Sequence, residues 1–442
     1  GLPAAPYLSV EAAFLSRDSA EARELGAWLA GPEAAKIRQD VGRQIVARDD
    51  VESSDPVLNA FRKQATVAVP MPVRAEMGQT WEPLARSLRR LTRGAVTPEV
   101  AAAEAQSTYA ILSRPVPPAA APWPYLGLLA AVLVAAAVWF VHELRAVKLR
   151  PWAFAYLYVA PAFGAMTLLT VMPFVVGATI SLFEQEGQAW TFVGISNFLD
   201  ILLARDFPLS SPLSFVSTLS VTILWTVSNV LLHVGIGVAL AMMLREPWVR
   251  LRGAFRALLI LPWAIPSYIT ALTWKNLFHQ QFGAINALLR MLGAEPVSWF
   301  ANFSTAFAAN LTTNTWLGFP FMMVVTLGAL QSIPRDLEEA AEVDGAGAWD
   351  RFRHVTLPLL KPALLPAVIL GSVWTFNMFN IIYLVSGGEP DGSTDVLVSQ
   401  AYRWAFTRGH RYGYAAAYAV IIFGVLVIYG RLANRLAGKK VV

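Results

Sequence analysis

The sequence predicts an all-α integral membrane protein of about seven transmembrane helices, preceded by a mainly α soluble segment. Three observations carry this prediction. Of 442 residues, 56% are hydrophobic and only 15% charged, whereas a soluble globular domain carries about 25% charged residues. The deficit is concentrated after residue 120, where long apolar runs begin. Seven such runs approach or exceed the roughly 20 apolar residues that a helix needs to cross the bilayer core.

Residues 1–112 read as soluble, because charges recur throughout and no apolar run exceeds a few residues. Ala20–Leu29 and Pro83–Leu91 have helical periodicity. The chain starts at Gly1 rather than Met and shows no signal-peptide pattern, so a natural N-terminus upstream is expected. Residues 113–124, SRPVPPAAAPWP, form a stiff spacer by their Pro and Ala content.

The apolar spans follow at about 123–141, 153–183, 213–244, 257–277, 305–330, 363–386 and 413–436. They divide into two N-terminal helices with a loop (125–212) and a core of five spans (213–437). Loops after the first, third and fifth spans, and the tail, are rich in Arg and Lys: Arg145, Lys148 and Arg150; Arg245, Arg250, Arg252 and Arg256; Arg335, Arg351, Arg353 and Lys361; Arg431, Arg435, Lys439 and Lys440. The alternate loops are poorer, with Arg205 in one and Arg290 in the next; Arg403, Arg408 and Arg411 fit least well. The positive-inside rule then places residues 1–112 in the periplasm and the C-terminus in the cytoplasm.

The net charge of +5 sits mostly in these short loops, which argues against a nucleic-acid partner. No cysteine is present, so disulfides, thiol catalysis and Cys-ligated metals are excluded. His142, His233, His279, His354 and His410 are scattered without ligand spacing, and no metal site is expected. No Asp or Glu lies within the spans, whereas ion-coupled carriers usually place ionisable groups there. The polar groups at depth are mostly amides: Asn229, Asn310, Asn314, Asn377 and Asn380. Amides donate and accept, as sugar hydroxyls require, but they also bridge helices. Trp316, Phe321 and Trp374 offer apolar faces to a sugar ring. Pro262 with Pro266, and Gly318 with Pro320, are expected to interrupt the fourth and fifth spans beside a wet path.

The stretch 331–366 is too polar to span. It reads as a short helix, a turn and a second helix: Pro334 opens it, Asp336, Glu338 and Glu339 favour the helix dipole, and Gly345 and Gly347 supply the stop. Ala340 and Ala341 leave room for another surface to approach, and Pro358, Pro362 and Pro366 punctuate the return to the membrane. The spacing of Glu339, Ala340, Ala341, Asp344, Gly345, Leu357 and Pro358 resembles the EAA loop (331–362) of binding-protein-dependent ABC importer permeases. The resemblance implies an ABC type I importer permease core. It also implies that Glu339, Ala340, Ala341, Asp344 and Gly345 couple the chain to an ATP-binding cassette dimer.

The segments FRALLILPWAIPSYITALTWKNLF (255–278), NTWLGFPFMM (314–323) and 376–406 resemble the larger permease subunit of maltose importers, over about residues 150–437. Two departures stand out: only about 30 residues (184–212) replace a large periplasmic insert, and one N-terminal span fewer is present. Sugar contacts of that subunit match Asn314, Leu317, Gly318 and Phe321 on the fifth span, and Gly371, Trp374 and Thr375 on the sixth. Phe321, Gly371, Trp374 and Thr375 stand where the maltose subunit has tyrosine, serine, phenylalanine and asparagine, so a sugar other than maltose is expected.

Residues 1–112 resemble the C-terminal part of a maltose-type solute-binding protein; 71–106 carry the likeness, with Trp81 where such proteins stack an aromatic ring on sugar. Trp81 is equally read as a core aromatic of its helix. Fusion would raise the local concentration of a binding protein over the permease. The chain lacks a GxxxxGK[ST] phosphate loop, so ATP and Mg are assigned to a partner and no cofactor to this chain. One coupling loop implies a second, nonidentical permease subunit, besides the solute-binding protein or fused domain, the sugar and the membrane lipid. The competing classes are an ion-coupled secondary transporter, an ABC permease for a non-sugar solute, and a membrane-embedded enzyme. The last needs convergent acids or a metal.

Overall fold

The computed structural model describes residues 7–8 and most of 19–146 and 153–438, with short gaps at 43, 45, 47, 49, 66, 68, 71–74, 95, 187–188, 206, 210 and 247. Residues 1–77 and 78–442 form separate compact units. The first unit holds β1 (Tyr7–Leu8), paired in parallel with β2 (Val69–Pro70), and helices α1 (Ala20–Ala30), α2 (Pro32–Asp40) and α3 (Pro56–Ala65). Ser19 caps α1 by accepting from the Ala22 N–H. Ala35, Val46 and Val51 make a small core, and Arg62 ties α3 to it by donating to the carbonyls of Arg48 and Val51.

The second unit opens with α4 (Trp81–Thr92) and α5 (Pro98–Leu112), a helical hairpin. Thr97 caps α5, and Pro98 occupies its first turn, where the missing N–H costs nothing. The unit boundary at 77/78 therefore differs from the expected division at 112. The hairpin belongs with the membrane helices because its acidic and basic side chains pair with their loops.

Helices α6 (Trp123–Ala146), α7 (Ala153–Met166) and α8 (Met172–Ile180) follow, the last two joined through a π turn at Thr167–Val171. An antiparallel hairpin, β3 (Phe183–Glu186) and β4 (Ala189–Phe192), ends the second apolar run earlier than expected. After α9 (Ser196–Leu202), α10 (Phe215–Arg245) crosses the whole unit; its 31 residues span about 46 Å. Then come α11 (Arg252–Ala264), α12 (Ser267–Leu277), α13 (Ala284–Met291), α14 (Phe303–Gln331), α15 (Arg335–Val343), α16 (Ala348–Arg351), α17 (Leu357–Phe376), α18 (Phe379–Ile381), α19 (Leu397–Phe406) and α20 (Tyr412–Gly438).

Among the described residues, 5 helices are long and apolar enough to cross a membrane, or 6 when the bent pair α11–α12 counts as one. The first expected span, on α6, carries a shorter apolar run, Trp123–Trp139. The side chains of Arg145, Lys148, Arg150, Lys439 and Lys440, used to orient the chain, lie outside the described residues.

Three local expectations are corrected and one holds in part. The fifth span is not interrupted: α14 runs through Gly318 and Pro320, since a proline inside a helix bundle can be tolerated where its surroundings satisfy the freed carbonyl. The fourth span does break, by 93°, but at Ile265–Pro266, with Pro262 inside α11. The helix after the polar loop runs continuously from Ala348 to Phe376 through a π turn at Phe352–Thr356, so Pro358, Pro362 and Pro366 do not punctuate it. The sixth span ends at Phe376, ten residues early, where Asn377 caps it.

The core of the second unit is the pair α10–α14, flanked by α17. Close approach requires glycine: a Cβ on Gly237 would sit 2.7 Å from Met322 Cβ. Buried Trp225 fixes the pair to α17 by donating from Nε1 to the Thr375 carbonyl at 3.0 Å.

Candidate functional site

A cavity of about 380 Å³ opens where the α11–α12 break faces α14 and α17. All seven residues expected on the substrate path line it: Asn314, Leu317, Gly318 and Phe321 from α14, and Gly371, Trp374 and Thr375 from α17. The spacing explains the convergence, because positions i, i+3, i+4 and i+7 share one helix face. Trp263, Phe321 and Trp374 form an aromatic wall, with ring centroids 6.1 and 5.4 Å apart. Trp263 and Trp374 are 52% and 49% exposed, so the cavity is open on that side. Trp316, also expected to face a sugar, packs instead toward Trp274 and Phe319 and does not line the cavity.

The amides serve largely to join helices. Asn314 is 2% exposed, and its Nδ2 donates to Asn229 Oδ1 at 2.9 Å, while Asn229 Nδ2 donates to the Trp225 carbonyl at 2.8 Å. Asn310 donates to Ser386 Oγ, Asn380 to Ser267 Oγ, and Asn377 to the Val373 carbonyl.

His233, Trp263, Ser267 and Met378 also line the cavity and were missed. His233 sits one turn after Asn229 on α10, and a Cβ on Gly318 would fall 2.1 Å from its Cε1. Gly371 meets Met322 in the same way, at 2.8 Å from Cε. The available signal was Pro266 directly before Ser267, since a broken helix exposes polar groups to a cavity.

At the far end of α10 stands the polar loop. Pro334 starts α15, and Asp336 and Glu338 lie in its first turn. Gly345, at φ +84°, ends it: its N–H reaches the Glu342 carbonyl, and that of Ala346 reaches the Ala341 carbonyl. This is the glycine C-cap motif. Gly347 takes a different role from the one expected, as N-cap of α16. Glu339, Ala340, Asp344 and Gly345 are exposed and Ala341 half-buried, and Val343 is 88% exposed. The loop is held by a residue outside the expected set: Glu338 Oε1 accepts from Arg245 at 2.7 Å and from Thr356 Oγ1 at 2.8 Å.

Residues 233–440 match the family described as binding-protein-dependent transport system inner membrane component. The chain is 35% identical over 283 residues to the trehalose/maltose transport system permease protein MalF of Thermococcus litoralis, covering 64% of this chain and 92% of that one. It is 34% identical over 300 residues to the maltodextrin transport system permease protein MalC of Streptococcus pneumoniae, covering 63% and 68%. The chain belongs to this family.

The Salmonella typhimurium maltose/maltodextrin permease MalF is 40% identical over 257 residues, covering 55% of this chain and 49% of the relative. In fold, the permease is similar to a solved bacterial ABC transporter for alginate import, at TM-score 0.56 and 21% identity, covering 66% of this chain and 97% of that one. The family is a multi-pass transport component of the inner membrane, not an enzyme. Among the described residues, no group of His, Asp and Glu could hold a metal ion.

At the end of the permease opposite the polar loop, the three arginines that fitted the charge rule least are engaged in internal pairs. Arg403 Nε meets Asp395 at 2.9 Å, Arg411 Nε meets Glu184 at 2.5 Å, and fully buried Arg408 meets Glu82 of α4 at 2.7 Å. Burial alone would raise the Glu82 carboxyl, but the charge and hydrogen bonds of Arg408 hold it below the usual value. Arg89 and Arg93 add pairs to Glu389 at 3.0 and 3.7 Å. Trp81, expected to stack on sugar, is 52% exposed at the start of α4, so it is not a core aromatic.

Proposed function

We propose that this permease carries short oligosaccharides, with sugar recognition in the cavity between α11–α12, α14 and α17. The single observation behind this is the aromatic wall Trp263–Phe321–Trp374 standing beside hydrogen-bonding groups at mid-helix. Aromatic faces take up the apolar C–H face of a pyranose, and Ser267, Thr375 and His233 serve its hydroxyls. The maltose, trehalose and maltodextrin names of the relatives point to the same class.

Transport proceeds by alternating access. The exposed α15, with Glu339, Ala340, Ala341, Asp344 and Gly345, docks on an ATP-binding partner dimer that holds ATP and Mg. Its motion passes into α10 and α17 through Arg245, Glu338 and Thr356. A second permease subunit closes the open side at Trp263 and Trp374. The polar loop faces the cytoplasm, and residues 1–112 lie in the periplasm. There they act as a remnant of, or fusion to, a solute-binding protein.

ATP hydrolysis by the assembled complex, measured with and without maltotriose, tests this reading. Sugar-stimulated hydrolysis is expected, lost on deleting Glu339–Gly345 and lost with Asn314→Leu while assembly persists. Sugar-stimulated hydrolysis unchanged in both variants would overturn it.

A further inference from the structure

A second cavity, of about 590 Å³, lies outside the membrane helices. The α4–α5 hairpin forms one wall; the other comes from the turn before α10, the start of α14 and the loop before α19. Its size falls in the range of small-ligand pockets, about 300–1,000 Å³. The wall is fixed, because Glu82–Arg408 and the Arg89 and Arg93 pairs with Glu389 pin α4 to the permease loops.

Its lining holds polar groups that the protein itself does not satisfy. Arg86 makes no hydrogen bond or ion pair among the described residues, although a guanidinium carries five donors. Burial pulls its pKa below the ordinary value, against the opposing charge of Asp391. Asp391 Oδ1 and Ser393 Oγ are shielded from solvent and have no partner. Such orphans call for an explanation. Neighbouring Arg90 is already engaged by Glu104 at 2.5 Å and Asp391 at 3.6 Å. The rings of Phe207 and Phe303 stand in the same lining.

The four charged residues Arg86, Arg90, Glu104 and Asp391 cancel, so neither an anion nor a cation is favoured. What satisfies an unpaired donor, an unpaired carboxylate oxygen and a hydroxyl beside aromatic rings is a neutral polyol. Each of its hydroxyls donates and accepts. We propose that this cavity is a second saccharide-binding site, a vestibule between the α4–α5 hairpin and the permease loops, distinct from the intramembrane cavity. It rests on the sugar reading above, and it explains what the hairpin contributes, since α4 supplies Arg86 to hold sugar at the entrance.

The cysteine-free sequence makes the test direct, since one introduced cysteine is the only thiol. The full chain in nanodiscs, carrying Ser107→Cys in the lining of this cavity or Met378→Cys in the lining of the other, is labelled with a small maleimide with and without maltotriose. Protection at Ser107→Cys is expected, about fourfold at a sugar concentration three times the dissociation constant. Adding Arg86→Met or Asp391→Asn removes it while protection at Met378→Cys stays. Protection at Met378→Cys alone overturns the vestibule and leaves the sugar reading standing. Protection at neither position overturns both. Protection at Ser107→Cys that survives both added substitutions shows that Arg86 and Asp391 do not form the site, and overturns the proposal.

Discussion

Nε2 of His233, on α10, donates a hydrogen bond to the backbone carbonyl of Asn314, on α14, at 3.0 Å. A carbonyl only accepts, so this ring carries a proton on Nε2, and in the neutral form Nδ1 is left as an acceptor. One turn earlier Asn229 takes the Asn314 side chain. Two successive turns of α10 thus grip one residue of α14 by its backbone and its amide. Asn314 is thereby held at the cavity edge, in the turns just before Pro320 removes a helix hydrogen bond.

The grip predicts a steric dependence. Gly318→Ala puts a methyl into the His233 ring and should destabilise the assembled complex by about 1–3 kcal/mol, as overpacking does. Gly318→Ala combined with His233→Ala should recover most of that loss. Thermal unfolding of the purified complex checks both, and a double variant no better than the single refutes the contact.

The Arg245–Glu338 pair, with side chains 13% and 24% exposed, anchors the polar loop. Glu338→Ala leaves Arg245 and Thr356 without their acceptor, at a cost of about 1–3 kcal/mol. Sugar-stimulated ATP hydrolysis should fall at least about fivefold while subunits still copurify. Unchanged stimulation would show that the loop is anchored otherwise.

Trp374→Ala removes one face of the aromatic wall. An aromatic contact of this kind contributes about 0.5–1.5 kcal/mol, so the maltotriose concentration for half-maximal stimulation should rise about two- to tenfold. Trp316→Ala, outside the cavity, should leave that concentration unchanged.

The Glu82 carboxyl lies below its ordinary 4.5 in the folded protein. A lowered folded pKa means that its stabilising effect is complete above the ordinary value and is lost as pH falls through the lowered one. Docking of the α4–α5 hairpin should therefore be constant at neutral pH and weaken only below about 4.5. Spin-label distances between α5 and α19 read this directly. Glu82→Gln should loosen the hairpin already at neutral pH and remove the acid transition.

Much of the architecture was legible in the sequence, for reasons that differ by residue. The long helices α10, α14 and α20 show plainly, since a bilayer selects length and apolarity alone. The polar loop was legible because acids, small residues and Gly345 recur at a spacing tied to one helix and its cap. Glu338 was not, because it differs from its neighbour Glu339 only in the direction its side chain leaves α15. The seven cavity residues came from family likeness, not from spacing. Asn314 and Asn377 look alike in the sequence, yet one lines the cavity and the other caps a helix.

By itself the sequence determined the membrane class, most of the spans and the position of the polar loop, because hydrophobicity and turn chemistry act over a few residues at a time. Tertiary structure alone decided that Pro266 and not Pro262 breaks the fourth span, that α14 runs on through Pro320 and that His233 faces Asn314. It also decided that Arg408 is buried against Glu82, 326 positions away. Such outcomes depend on which partner stands across the gap, and pairing of that range leaves no periodic trace in the chain.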